Sequence, residues 1–125
     1  MNFDNLAIGT DIEEIERFEN KTIEQDEKFL RKIFTQKELD YCFKDKQSAA
    51  HMCVRFCAKE AVVKALSQFG ISDVYYSDIE ILNRENGSPY CIIKKYPNIT
   101  IKISLSHAKT YAVATVLALT DEIQS

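Results

Sequence analysis

Three side chains have the types and spacing for phosphate or proton chemistry. Glu60 and Lys64 stand four residues apart in the run Arg55-Phe56-Cys57-Ala58-Lys59-Glu60-Ala61-Val62-Val63-Lys64-Ala65. On a helix that places them roughly 40° apart around the axis. Glu before Lys at this spacing is also the ordinary surface ion pair. Here both continue the arc of Cys53, Phe56, Cys57 and Ala61, as the wall of a cleft would. Asp11 falls in Ile8-Gly9-Thr10-Asp11-Ile12, at an expected strand-to-helix junction. There it serves either as a helix N-cap or as a metal-binding carboxylate at the end of an element. Gly9, Gly70 and Gly87 are the only glycines, so the chain has no P-loop and no dinucleotide fingerprint. A phosphate handled by this chain must be met by a metal and basic side chains.

Other candidates are weaker by spacing alone. His107 follows Ser104-Leu105-Ser106 before a short Ala-Lys-Thr turn; it is either a solvated turn residue or, with two hydroxyls nearby, an anion contact. Lys28, Arg31 and Lys32 recur at i, i+3 and i+4 and form one basic face. That face is solvated, or it docks an acidic partner. Cys53 and Cys57 are four apart, but His51 is poorly placed to join them. A structural zinc site needs four ligands, so the expectation is buried, reduced thiols.

The elements that must position these residues follow from the pattern. Leu6 to Gly9 reads as a strand. Asp11 with Glu14, or Thr10 with Glu13, reads as a capping box opening a helix from Ile12 to about Asn20. A helix is expected over Glu24 to Ile33, and Thr35 with Glu38 caps another through Phe43. The long helix spans Ser48 to Phe69 on helical spacing of Ala50, Cys53, Val54, Cys57, Ala61, Ala65 and Leu66, and Gly70 stops it. The period then becomes strand-like. Tyr75 to Leu82 and Tyr90 to Lys94 flank an Asn-Gly turn cluster. Ile101 to Ser106 alternates cleanly, and Tyr111 to Leu119 is apolar on both faces, as a central or doubly covered strand is. A strand, then helices, then strands joined by short turns predict an α+β fold with a largely antiparallel sheet.

Composition bounds the class. The chain has 125 residues, 46% hydrophobic and 28% charged, so a single domain over residues 1–125 with a real core is expected. Sixteen Lys+Arg against 19 Asp+Glu give a net charge of −3, which argues against nucleic acid as a partner. No apolar run approaches the roughly 20 residues of a membrane span. Met1 to Asn5 lacks the basic and apolar regions of a leader, so a cytoplasmic location is expected.

Five separated segments, in order, resemble the holo-[acyl-carrier-protein] synthases, the small class of 4′-phosphopantetheinyl transferases. They are Ile8-Gly9-Thr10-Asp11-Ile12 with Glu16-Arg17-Phe18; Phe34-Thr35-Gln36-Lys37-Glu38-Leu39; Arg55-Phe56 through Lys59-Glu60-Ala61 to Lys64-Ala65; Asp78-Ile79-Glu80-Ile81 with Asn86-Gly87-Ser88-Pro89-Tyr90; and Ser104-Leu105-Ser106-His107 with Tyr111-Ala112-Val113-Ala114. The resemblance covers nearly the whole chain. It implies transfer of the phosphopantetheine arm of coenzyme A to a serine of apo acyl carrier protein, with release of 3′,5′-ADP. It also implies magnesium and a homotrimer whose active sites lie between subunits.

In that reading Asp11 and Glu60 hold magnesium against the pyrophosphate, since the carboxylates alone would repel it. Glu60 helps remove the serine proton, directly or through a water on the metal. Lys64 neutralises or protonates the leaving phosphate. The resemblance further implies that His107, from the adjacent subunit, and Arg55 and Pro89 contact the nucleotide. It implies Arg17 as a carrier-protein contact, with Lys28, Arg31 and Lys32 as secondary docking residues. A magnesium-dependent phosphohydrolase would use the same carboxylates without a carrier protein. A binding module for an acidic partner would leave Glu60 and Lys64 as a surface pair.

Overall fold

The computed structural model describes residues 3–44 and 46–121; Met1 and Asn2 of the opening stretch lie outside them. In chain order the elements are β1 (Leu6–Glu14), α1 (Ile23–Ile33), α2 (Gln36–Cys42), α3 (Ser48–Ser67), β2 (Ile79–Asn83), β3 (Pro89–Ile93), β4 (Ile99–His107) and β5 (Tyr111–Thr120). Three strands form a sheet in the order β1-β5-β4, and β2-β3 is a hairpin. Every pairing is antiparallel. This is the predicted α+β architecture. Among the described residues no helix is long and apolar enough to cross a membrane.

Small residues let α3 lie directly on the sheet. Ala58, Ala61 and Ala65 of α3 are buried, as are Ala112, Ala114 and Ala118 of β5. The closest approach is at Gly9, where an added Cβ would lie 2.0 Å from the Ala61 carbonyl oxygen. No side chain fits there without moving backbone, so Gly9 sets how near β1 stands to α3. A second core under α1 and α2 gathers aromatic rings around Phe18, which contacts Phe29, Phe34 and Phe56 at centroid distances of 6.2, 5.9 and 5.7 Å.

The predicted helix from Ile12 to about Asn20 does not form. β1 continues to Glu14, and only Ile15–Phe18 makes a 3-10 turn. The cause is tertiary. Thr10 to Glu14 ladder onto β5, from Thr10 opposite Thr115 to Glu14 opposite Tyr111, and this ladder satisfies the backbone groups a helix would have paired. Neither predicted capping box at this point exists. Thr10 Oγ1 instead donates to the Ala114 carbonyl at 3.0 Å, and Asp11 is a strand residue rather than an N-cap.

The other elements stand close to their predicted positions. Thr35 and Glu38 form the predicted capping box of α2. The helix α3 ends at Ser67, two residues early, and its end closes as a Schellman motif. There the Ile71 N–H bonds to the Leu66 carbonyl at 3.1 Å and the Gly70 N–H to the Ser67 carbonyl at 3.0 Å, with Gly70 at φ +79°. The strand expected from Tyr75 starts later, at Ile79, because Tyr76–Asp78 takes a 3-10 turn. The strand β5 is central, as expected, between β1 and β4. Within the chain only its alanine-rich face is covered; Tyr111, Val113, Leu117 and Leu119 on the other face are 36–48% exposed.

Candidate active site

Strand periodicity and the Gly9 contact together build a carboxylate cluster. Asp11 and Glu13 are two apart on β1 and so share its inward face. Glu60 comes from the apposed side of α3. One carboxylate oxygen from each of the three lies within 4.8 Å of the others. Asp11 and Glu60 were singled out in the sequence; Glu13 was not. Its signal was the alternating spacing Asp11-x-Glu13, which only a strand makes meaningful.

The cluster is half-buried, and its charges are unbalanced. Lys64 donates to Asp11 Oδ1 at 3.0 Å and to the Thr10 carbonyl at 3.0 Å, so it bridges to β1 rather than pairing with Glu60 along the helix. The hydrogen bond to Asp11 raises the pKa of Lys64 above its ordinary value. Arg17 approaches Glu13 Oε1 at 3.4 Å and lies 4.8 Å over the Phe56 ring. Burial, followed by the neighbouring Asp11, raises the Glu13 carboxyl from 4.5 to about 7. Asp11 Oδ2 is buried and meets no donor. An anionic oxygen in that state calls for a proton or a cation. Hard carboxylate oxygens converging on one point fit magnesium, which takes one or two carboxylates and completes its shell with water and phosphate. Asp11, Glu13 and Glu60 are therefore the residues that could hold it.

Neutral groups line the floor. Tyr76 donates its hydroxyl to Glu60 Oε1, and this bond, ahead of burial, pushes the phenol up to about 12. The Cys57 thiol donates to the Asp11 carbonyl at 3.0 Å and the Ala112 carbonyl at 3.5 Å. Burial pushes both Cys53 and Cys57 up to about 12. These are the protonated, packed thiols that the sequence led us to expect.

Beside α2 and the β2-β3 hairpin lies a second feature, a cavity of about 440 Å³ lined by Lys37, Tyr41, Lys44, Arg55, Arg84 and Tyr90, among others. Arg55 is buried. It donates to Asn83 Oδ1 and to the His51 carbonyl, and its guanidinium stacks 4.2 Å over Tyr41. Its Nε is buried with no acceptor. Pro89 faces Asn83 across the hairpin, and Arg84 donates to its carbonyl at 3.1 Å. Arg55 thus lines this cavity, and Pro89 lies on the hairpin beside it, linked to Arg55 only through Asn83. Lys37, Lys44 and Arg84 were missed in the sequence because their convergence depends on the hairpin lying beside α2.

The remaining candidates are peripheral. His107 is exposed at the end of β4, opposite Ala112, which also pairs with Glu13 on the other side of β5. Lys28 and Arg31 are exposed on α1, and Arg31 is engaged by Glu27 at 3.1 Å and Gln36 at 2.8 Å.

The fold and site define an α+β protein with a carboxylate cluster suited to a divalent cation and, apart from it, a basic cavity lined by aromatic rings. Comparison with known proteins narrows this. The model of the 4′-phosphopantetheinyl transferase superfamily matches residues 7–116. A holo-[acyl-carrier-protein] synthase of a Thermoanaerobacter species is 41% identical over 125 residues, covering 94% of this chain and 89% of its own. The same enzyme of Protochlamydia amoebophila is 41% identical, covering 87% of this chain and 93% of its own. A Bacillus anthracis holo-(acyl-carrier-protein) synthase, solved in complex with CoA (3′,5′-ADP), superposes with a TM-score of 0.75 at 32% identity, covering 92% of this chain and 96% of its own. The Helicobacter pylori enzyme, solved with coenzyme A, superposes with a TM-score of 0.75 at 30% identity, covering 89% of this chain and 98% of its own. The chain belongs to the 4′-phosphopantetheinyl transferase superfamily, as one of its holo-[acyl-carrier-protein] synthases.

Proposed function

We propose that this chain transfers the 4′-phosphopantetheine group of coenzyme A to a serine of an apo acyl carrier protein in the cytoplasm, with magnesium, releasing 3′,5′-ADP. The observation that carries the reading is the cluster of Asp11, Glu13 and Glu60 beside Lys64, in a chain whose relatives bind coenzyme A. When bound, magnesium supplies positive charge against the pyrophosphate. Asp11 and Glu60, with Glu13, hold it. The serine oxygen bonds to the pantetheine-side phosphorus as the bond from that phosphorus to the 3′,5′-ADP oxygen breaks. Glu60 takes up the serine proton, directly or through a water.

Lys64 neutralises the leaving phosphate. An ammonium has three donors; two serve Asp11 and Thr10, and the third is left for a phosphate oxygen. Because its bond to Asp11 strengthens its hold on the proton, it acts as a fixed charge more than as an acid. Lys44, Arg55 and Arg84 give the basic cavity a charge suited to the nucleotide end of the substrate, with Pro89 at its edge and His107 reaching it from a neighbouring subunit. Arg17, beside Glu13 and half-exposed, is placed to meet a carrier protein presenting the serine; Lys28 and Arg31 on α1 offer a separate basic face for docking.

The uncovered sheet face supports association with further copies, in keeping with the homotrimer proposed for this chain. Ile8 and Ile12 on β1 are 54% and 61% exposed, and they pair with Leu117 and Val113 of β5. Apolar pairs left open to water favour association with further copies.

The test is intact-mass spectrometry of apo acyl carrier protein incubated with this protein, coenzyme A and magnesium. A gain of one phosphopantetheine is expected, abolished by a chelator and by Glu60→Gln. No gain with several folded carrier proteins overturns the transferase reading. Release of phosphate from coenzyme A without a carrier protein would point instead to a phosphohydrolase.

A further inference from the structure

We infer that Tyr76 is a positioning residue for Glu60: its hydroxyl occupies one carboxylate oxygen and leaves the other for a cation. This rests on the metal-holding role proposed for the carboxylate cluster.

The bond from Tyr76 to Glu60 Oε1 crosses between two elements, the 3-10 turn before β2 and the middle of α3. Nothing else in Tyr76 depends on it. The ring packs edge-on to Phe56 at a centroid distance of 5.5 Å. The backbone is held separately, since the Tyr76 carbonyl accepts from Lys59 Nζ at 2.9 Å and the Asp78 N–H bonds back to the Tyr75 carbonyl at 2.9 Å. Ring and backbone therefore deliver the hydroxyl to Glu60 and do not need it in return.

Glu60, by contrast, needs a restraint. Asp11 and Glu13 carry the same sign of charge within 4.8 Å of it, and repulsion would turn its carboxylate toward solvent in the absence of a cation. A lysine or arginine could hold it, but would neutralise the cluster and compete with the cation. A phenol restrains the carboxylate while leaving the charge of the cluster intact. Donors behind a metal-binding carboxylate act in this way, and their loss typically weakens metal affinity by about 10–100-fold.

Tyr76→Phe removes only the hydroxyl. The direct measurement is Mn²⁺ binding to the full chain, with the metal alone, followed by electron paramagnetic resonance. The expected result is affinity weakened about tenfold, with the circular dichroism and metal-free melting temperature unchanged. The double variant Tyr76→Phe/Glu60→Gln should bind no more weakly than Glu60→Gln alone, because the hydroxyl acts only through Glu60. Unchanged affinity in Tyr76→Phe, additive losses in the double variant, or no Mn²⁺ binding by the unaltered chain would each overturn the inference. A chain that binds Mn²⁺ through Tyr76 and Glu60 but transfers no phosphopantetheine would overturn the transferase reading and leave this inference standing.

Discussion

Lys59 and Glu60 are neighbours in sequence, yet they sit in opposite kinds of environment. Lys59 is fully buried and saturated. Its three N–H donors are shared among four acceptors within reach, the carbonyls of Ile33 at 2.7 Å, Tyr76 at 2.9 Å and Ile79 at 2.6 Å, and Glu38 Oε1 at 2.7 Å. Glu38 is filled as well, accepting from the Thr35 N–H at 2.8 Å and, on its other oxygen, from the Ile81 N–H at 2.8 Å. Burial pulls the pKa of Lys59 below its ordinary value, while Glu38 holds it up. About 100° further round the helix, Glu60 joins two like charges, and Asp11 Oδ2 beside it has no donor. A side chain with every valence met fixes α1, α2, α3 and β2 to one another. A cluster left incomplete by its own chain has capacity for a ligand. Consecutive residues on one helix thus divide structure from chemistry.

The largest effect should come from breaking the saturated side. Lys59→Ala leaves Glu38 buried without its cation, and removing one partner of a buried pair costs about 3–5 kcal/mol. Urea unfolding should show that loss, and an unchanged midpoint would mean that the network is not holding the elements together. Glu60→Gln is the mirror experiment. It removes one of three mutually repelling carboxylates, so the metal-free fold should be as stable or slightly more so, while transfer falls about a hundredfold or more with its proton acceptor gone. Loss of folding in Glu60→Gln would erase the division between the two residues.

A smaller effect follows from the raised pKa of Glu13, about 7 in the fold against 4.5 ordinarily. The folded chain binds this proton more tightly than the unfolded chain. Stability from this group is therefore fully present below about pH 4.5, declines as the pH rises through about 7, and is flat above. The span is on the order of 3 kcal/mol. Urea midpoints of the metal-free protein at pH 5, 6, 7 and 8 should fall accordingly, Glu13→Gln should flatten the trend, and added magnesium should restore stability at pH 8 by taking the place of the proton. A midpoint that does not move between pH 5 and 8 in the unaltered chain would show that Glu13 is already ionised.

What the sequence made legible was what is local. The capping box of Thr35 and Glu38, the small-residue face of α3, the Asn-Gly hairpin and the alternation of β4 depend on neighbours a few residues away. Asp11, Glu60 and Lys64 were legible as candidates by residue type, and the structure brings them together. The Thr10–Glu14 stretch was misread because it satisfies two local patterns at once, a capping box and a strand alternation. The choice between them is made by β5, whose Ala114 is 104 residues from Thr10. With the strand misread, Glu13 lost its place beside Asp11. Lys59 could not be read either, since its acceptors lie on four segments and a lone lysine in a helical run looks solvated. Tyr76 was hidden for the same reason.

The smallest effect probes the edge of the unsaturated cluster. Arg17 meets Glu13 at 3.4 Å with its own side chain 52% exposed, and exposed ion pairs contribute about 0–1 kcal/mol. Arg17→Ala should therefore leave the unfolding midpoint almost unmoved, losing mainly the cover that the guanidinium gives Phe56. The effect on charge is separate. Arg17 lowers the pKa of Glu13, so its removal should shift the pH-dependent fall in stability to higher pH. If Arg17 also meets the carrier protein, KM for that substrate should rise while KM for coenzyme A holds. A large loss of stability would place Arg17 with the saturated network instead. An unchanged carrier KM would confine it to tuning Glu13.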